Sequence, residues 1–325
     1  NTAALKFQAG DLDALDNVKA EDYHTFEEEQ ERGRYTLYDL GPALNTNFFW
    51  FNLNVVRDPG PGERAGDPHV GRTKYGWFSR REFRQAVSMA IDRDAMIRGP
   101  FYGEAVLNWS QMTPGNKVWG SNPDLDPWDY DPEAAKAKLD ARGYVDRDGD
   151  GVRENAEGLP LGIELKYNTG NQQRQDIAEI MQAQLAEVGV AVRATVVEPS
   201  ALQAQVFGPE RREFDGLVFG FVSDFRVDDR DLFHSDRIEQ PFALTGTRNP
   251  ELDRLMDTLA VIVDAKAAKP LWDEYQRLLD REHPNTFLYF PDKIDAFGAR
   301  MRGVSMDVRG EWAAVREWWI EPSLR

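Results

Sequence analysis

Two hydrophobic periods alternate along this chain. Ile163, Leu165 and Tyr167 fall on every second position, as in a half-buried strand. Ile177, Ile180, Met181, Leu185 and Val188 then recur at helical spacing, and Gly189 stops that run. Val190, Val192, Ala194 and Val196 alternate again, so this stretch predicts strand, helix and parallel strand with a crossover. Asn47-Phe-Phe-Trp-Phe-Asn-Leu-Asn54 is apolar on successive positions, which predicts a strand covered on both faces. Leu217–Val222 and Phe287–Phe290 predict two more strands.

Helix starts are written in capping chemistry. Asp131-Pro132-Glu133 and Asn249-Pro250-Glu251 each place a side-chain acceptor before a proline at the first helical position. Ser79-Arg-Arg-Glu82 has the form of a capping box ahead of the stripe Phe83, Ala86, Val87, Ala90 and Ile91. Further helix is expected over Ala9–Arg34 and from about Pro270 to Arg281, with a loop and boundary over Asp58–Gly71. The class is α/β.

Composition narrows the function. Against 39 Lys and Arg stand 56 Asp and Glu, a formal charge of −17, and the basic residues form no block. Nucleic acid and anionic membranes are therefore excluded as expected partners, since both need clustered cations. Cysteine is absent, which removes disulfides, thiolate nucleophiles and Cys-based zinc sites. The start at Asn1 shows no basic n-region and apolar run, so a cytoplasmic chain or a processed or truncated one is expected. HExxH, GxSxG, P-loop and GxGxxG motifs are all missing, and His24, His69, His234 and His283 are scattered. Acid pairs such as Asp124 and Asp126 keep a glycosidase open as a rival class, although chance proximity explains them among so many acids.

One loop has the pattern of a calcium cage. Asp146, Asp148, Asp150, Glu154 and Glu157 stand at positions 1, 3, 5, 9 and 12, with Gly151 at the sharp turn and the Val152 carbonyl at position 7. The alternative is an acidic, solvated turn. Asp224 lies just beyond the apolar Leu217–Val222 run, between Phe221 and Phe225, where ligands of open α/β sheets bind. It is a candidate partner for a ligand ammonium; an ordinary loop acid is the alternative. Asp228, Asp229 and Asp231 read as a solvated loop face. Trp109, Trp119 and Asn116, in a turn-rich stretch, are candidates for a ligand wall, with core packing the alternative for both tryptophans. Trp318-Trp319 is expected in the core.

The ordered set of local motifs resembles the family-5 extracellular solute-binding proteins, the peptide-binding components of ABC importers. Trp77-Phe78, Phe83-Arg-Gln-Ala-Val87 and Ala90-Ile-Asp-Arg93 open it, followed by Gly103-Glu-Ala, Pro114-Gly-Asn116 and Tyr130-Asp-Pro-Glu-Ala-Ala135. The Asp-Gly-Asp-Gly loop, Asn249-Pro-Glu-Leu-Asp253, Tyr275-Gln276 and Trp318-Trp319 complete it. The resemblance implies a type II periplasmic-binding-protein fold, with two lobes joined by crossover strands and the N-terminal portion missing. It places residues 1–48 and 290–325 in an incomplete first lobe and 49–289 in the second, with Asn47–Asn54 and Phe287–Phe290 as crossovers. It implies a non-enzymatic, monomeric, extracytoplasmic receptor that passes a peptide or similar small solute to an ABC permease. Oligosaccharide or another cationic solute remains the alternative ligand, and a secreted hydrolase the alternative class. Asp224 matches the family's ammonium-binding Asp, whereas Arg226-Val227 replaces its prolines like a one-residue insertion. No cofactor beyond structural calcium is expected.

Overall fold

The computed structural model describes residues 2–126, 128–208, 214–226, 228–238 and 240–324. The strands of its main sheet are β1 (Ala14–Leu15), β2 (Tyr35–Pro42), β3 (Asn45–Phe51), β4 (Ala105–Leu107), β5 (Gly162–Asn168), β6 (Ala191–Val197), β7 (Gly216–Val222) and β8 (Asn285–Gly298). They form one mixed sheet in the order β1-β8-β3-β7-β5-β6, with β2 and β4 also on β8. Its helices include α1 (Thr2–Gln8), α2 (Tyr23–Glu31), α3 (Arg72–Phe78), α4 (Arg81–Met89), α5 (Arg93–Arg98) and α6 (Pro132–Ala141). The later ones are α7 (Gln172–Glu187), α8 (Pro199–Phe207), α9 (Arg230–Phe233), α10 (Pro250–Val261) and α11 (Ala265–Glu282). Among the described residues, no helix is long and apolar enough to cross a membrane.

The central strand explains the sheet. In β3, Phe49 and Phe51 point into a core with α4, α6 and α7, while Phe48 and Trp50 point into a second core with α8, α10 and α11. Both faces are therefore covered, as its unbroken apolar run requires. Gly216 on neighbouring β7 is obligatory, because a Cβ there would sit 2.4 Å from the Phe49 ring. The β5–α7–β6 unit is parallel, pairing Ile163 with Val192 and Leu165 with Ala194. β3 runs antiparallel to both β7 and β8.

β8, at 14 residues, is more than three times as long as its apolar run Phe287–Phe290 suggests. Its first half pairs with β3 and β4, and its second half with β2 and β1. That second half feeds a third core, where Ile294 and Ala296 meet Phe7, Phe26 and Tyr35.

Several expectations are corrected. Ala9–Arg34 is not one helix: Gly10 and Asn17 take positive φ, and β1 intervenes before α2. The Ser79–Glu82 box is not made, because α3 runs up to Ser79 and Glu82 instead pairs with Arg142 at 2.6 Å. α11 starts five residues before Pro270, where Asp264 caps the amides of Lys266 and Ala267. Trp319 is exposed, although Trp318 packs edge-on against Phe297 at 4.9 Å. The caps at Asp131 and Asn249 are as read, each accepting from amides of the first helical turn.

Two buried arginines tie the helices to the sheet. Arg84 donates to the carbonyls of Phe78, Glu282 and His283, closing the carboxyl ends of α3 and α11. Arg93 does the same at the junction of α4, α5 and β8 and lies over the Trp109 ring at 4.6 Å.

Candidate functional site

β5 and β7 run parallel, so their carboxyl ends open on the same rim, beside the start of β3. The loop leaving β7 is fastened at several points. The Ser223 amide donates to Leu44 O at 3.0 Å, Asn116 Nδ2 to Phe225 O at 2.7 Å, and Arg226 to Ala260 O at 2.8 Å. Arg309 lies over the Phe225 ring at 5.6 Å. Asp224 itself is exposed, and among the described residues nothing pairs with its carboxylate. Val227, the other half of the expected insertion, lies outside the described residues.

Beneath that rim is an aromatic floor. Phe221 packs against Phe48, Trp50, Phe219 and Phe242 with centroids 5.5–6.0 Å apart. Arg174, in the first turn of α7, covers Phe219 at 4.7 Å and donates to Asn168 Oδ1 at 2.7 Å. Burial pulls the Arg174 pKa down, and no carboxylate lies within ion-pair distance of it among the described residues. Arg174 also lines a cavity of about 200 Å³ between β3, β8 and α7, with Asn47, Phe101, Tyr289 and Asp292. Residues 17–20 close its far side. That volume suits a single side chain or terminal group.

Asp224, Phe221, Phe225 and Asn116 are thus brought together; the Trp119 amide joins them, donating to Asn116 Oδ1 at 2.9 Å, but neither tryptophan ring forms a wall beside them. Trp119 is buried edge-on against Trp272 at 6.0 Å, which corrects its reading as a ligand wall. Trp109 is half-buried beneath Arg93. Sequence reasoning missed Arg174 and Tyr289. A lone Arg in a helix's first turn has no local signature, and Tyr289 is hidden inside an apolar strand. Asp229 corrects the solvated-face reading: it is buried and accepts from the Tyr275 hydroxyl at 2.7 Å. A second cavity, of about 530 Å³, lies at the opposite end of β5 and β7. Its acids are already engaged: Asp215 by Lys74 and the Glu164 amide, Glu164 by Arg193.

The acidic loop closes one step earlier than its spacing suggests. Oxygens of Asp146, Asp148, Asp150 and Glu154 lie within 4.8 Å of one another. Asp146 accepts from the amides of Gly149 and Gly151, and Glu154 from that of Arg147. Glu154 also bridges to Val145 and Pro160, which turns the chain at Asn155–Gly158 and leaves Glu157 exposed outside the cluster. The expectation for Glu157 is corrected accordingly. Arg153, donating to Val188 O and Tyr144 O, fixes the loop to α7 and to the end of α6.

The sequence profile of the bacterial extracellular solute-binding proteins, family 5 (middle region) matches residues 1–236. The chain belongs to this family. Among curated family relatives, the oligopeptide-binding protein AppA of Bacillus subtilis is 27% identical over 321 residues, 98% of this chain and 54% of AppA. The dipeptide-binding protein of Escherichia coli is 33% identical over 115 residues, 35% of this chain and 19% of that protein. The solved structure of Bacillus subtilis AppA in complex with a nonapeptide superposes with a TM-score of 0.80 at 26% identity, covering 99% of this chain and 58% of AppA. The chain thus spans little more than half the length of AppA. The family-5 architecture, an α/β periplasmic-binding-protein fold, is the one described above.

Proposed function

We propose that this chain is part of an extracytoplasmic receptor that grips a peptide between two lobes and passes it, unaltered, to an ABC permease. One observation carries the reading: an unpaired carboxylate, Asp224, and an unpaired guanidinium, Arg174, stand on the same rim at the strand ends. Opposite charges held apart over an apolar floor complement a peptide's ammonium and carboxylate, and each gains a charge-assisted hydrogen bond. The names and fold of the relatives support it. Residues 1–48 and 290–325 would belong to one lobe and 49–289 to the other, a division favoured by the separate core around Phe7, Phe26 and Tyr35. Ligand binding would then favour the closed population of a hinged monomer.

Because Asp224 is exposed in this chain, Asp224→Ala in the full-length protein is expected to weaken peptide binding roughly tenfold, not to abolish it. Calorimetry with peptides that co-purify with the protein measures this. Unchanged affinity would remove Asp224 from the site, and absence of any bound peptide would remove the reading.

Calcium in the acidic loop is proposed as a structural element, held by Asp146, Asp148, Asp150 and Glu154 with the Val152 carbonyl. Millimolar calcium should then raise the melting temperature by roughly 3–5 °C, and Asp148→Ala should erase the increment. A melting curve indifferent to EDTA would refute it.

A further inference from the structure

Beyond β8 the chain leaves the third core and comes back to it. There β9 (Met301–Arg302) pairs antiparallel with β10 (Trp319–Ile320), Arg302 opposite Trp319 and Met301 opposite Ile320. The Glu321 amide donates to Arg300 O at 3.1 Å, the Arg300 guanidinium donates to Asp13 Oδ2 at 3.0 Å, and Trp318 packs on Phe297. The two limbs run so close that a Cβ on Gly303, whose φ is +71°, would sit 2.2 Å from Glu317 O. Residues 303–318 are therefore an excursion closed at its foot, in the manner of an Ω-loop.

The tip of this excursion rests far from its foot. Val308 packs over Gly115, where a Cβ would lie 3.2 Å from Val308 Cγ2 and 2.1 Å from Pro42 O, so only glycine admits both neighbours. One residue on, the Arg309 guanidinium lies over the Phe225 ring at 5.6 Å, next to Asp224. Asp307 aims that guanidinium, accepting from Arg309 Nε at 2.9 Å and from Nη2 at 2.5 Å. The Gly310 amide closes the turn by donating to Asp307 O at 2.8 Å. The landing surface is braced as well, because Asn116, beside Gly115, holds Phe225 O.

We propose that residues 303–318 form a strap that reaches from one lobe to the Asp224 loop of the other and holds the receptor partly closed before a peptide arrives, with Arg309 as the positioning residue at its tip. The proposal rests on the two-lobe reading: the foot belongs to the segment 290–325, and Gly115 and Phe225 to the segment 49–289. A contact between lobes is made in the closed arrangement and lost when the hinge opens, so its free energy favours the closed state alone. An exposed cation–ring contact is modest, and it shifts the closed-to-open ratio about two- to fivefold without locking it. Peptide affinity follows the closed fraction whatever the peptide's termini, because the strap acts on the lobes and not on the ligand.

The test uses the full-length protein with nitroxide labels at Lys6→Cys on α1 and Ala137→Cys on α6, both exposed, so that spin–spin distances report the separation of the lobes. Without peptide, Arg309→Ala should lower the ratio of short to long distances about two- to fivefold, and Arg309→Lys, which keeps a cation, should lower it less. Calorimetry should show Arg309→Ala weakening free and N-acetylated peptides by equal factors, whereas Asp224→Ala weakens only the peptide with a free amine. Unequal factors for Arg309→Ala would place that residue on the ligand and overturn the strap. Ligand-free distances that coincide in wild type, Arg309→Ala and Val308→Asp would overturn it too, and would leave the receptor reading standing. Wild-type distances that peptide does not shorten would overturn the hinged receptor, while the ligand-free comparison decides the strap.

Discussion

Arg93→Met should destabilise the fold by about 3 kcal/mol. Arg93 is 3% exposed, and burial lowers its pKa to about 9, so it is a charged group at neutral pH in an expensive place. What holds it there is a set of fixed acceptors. It donates to Phe287 O at 2.6 Å, Trp128 O at 3.0 Å, Ser88 O at 3.1 Å and Ser88 Oγ at 2.5 Å. Replacing a buried ion pair by apolar residues is often neutral, because both partners vanish together. Here the partners are mostly backbone carbonyls, which no substitution removes. Methionine relieves the desolvation of the charge but leaves those acceptors without donors. Arg93→Lys keeps the charge and loses the planar fork, and should cost about half as much. Urea unfolding at neutral pH measures both, and a methionine variant as stable as wild type would show the carbonyls to be satisfied otherwise.

The second large effect concerns pH. Burial raises the Asp229 carboxyl to about 7, the Tyr275 hydroxyl opposes that rise and Asp228 adds to it; Arg230 is committed to Asp228 at 2.5 Å. The remaining neighbours, Met256, Leu259 and Trp272, are apolar. In the unfolded chain the same group titrates near 4. Between about pH 4 and 7 the folded state therefore keeps a proton that the unfolded state releases. This carboxyl's contribution falls as pH rises through that window and levels off above it. Asp229→Asn holds the neutral form at every pH. It should match wild type near pH 4 and exceed it by about 4 kcal/mol at pH 8. Stability curves that run parallel from pH 4 to 8 would show that Asp229 is ionised and solvated.

How much of this was legible in the sequence differs by element. The β5–α7–β6 unit was readable because its apolar positions recur at periods of 2 and 3.6, with the charges of β5 and α7 falling between them, and β3 because it is an unbroken apolar run. The second half of β8 was not. Asp292, Lys293 and Asp295 break its apolar pattern, yet Asp295 is fully buried, accepting from the Asn17 amide at 2.8 Å and from Lys293. Charge satisfied by distant partners leaves no local trace. The same reason hid Asp229, which looks like its neighbours Asp228 and Asp231 until Tyr275 arrives from α11. The calcium pattern was legible as spacing, but the strand-like bridge at Glu154, set by residues beyond the loop, decided where the loop ends. In the site, Asp224 announced itself by position after a strand. Arg174 and Tyr289 became visible only when the topology brought α7 and β8 together.

The length of β8 has one more consequence. A single ribbon of 14 residues contributes side chains to all three hydrophobic clusters, Leu288 to the first, Phe287 to the second and Ile294 to the third. No scission within it yields two self-sufficient pieces, because each would forfeit an edge that its own interior depends on. The halves of this molecule are therefore tied thermodynamically as well as mechanically, and cooperativity between them is built into one stretch of backbone.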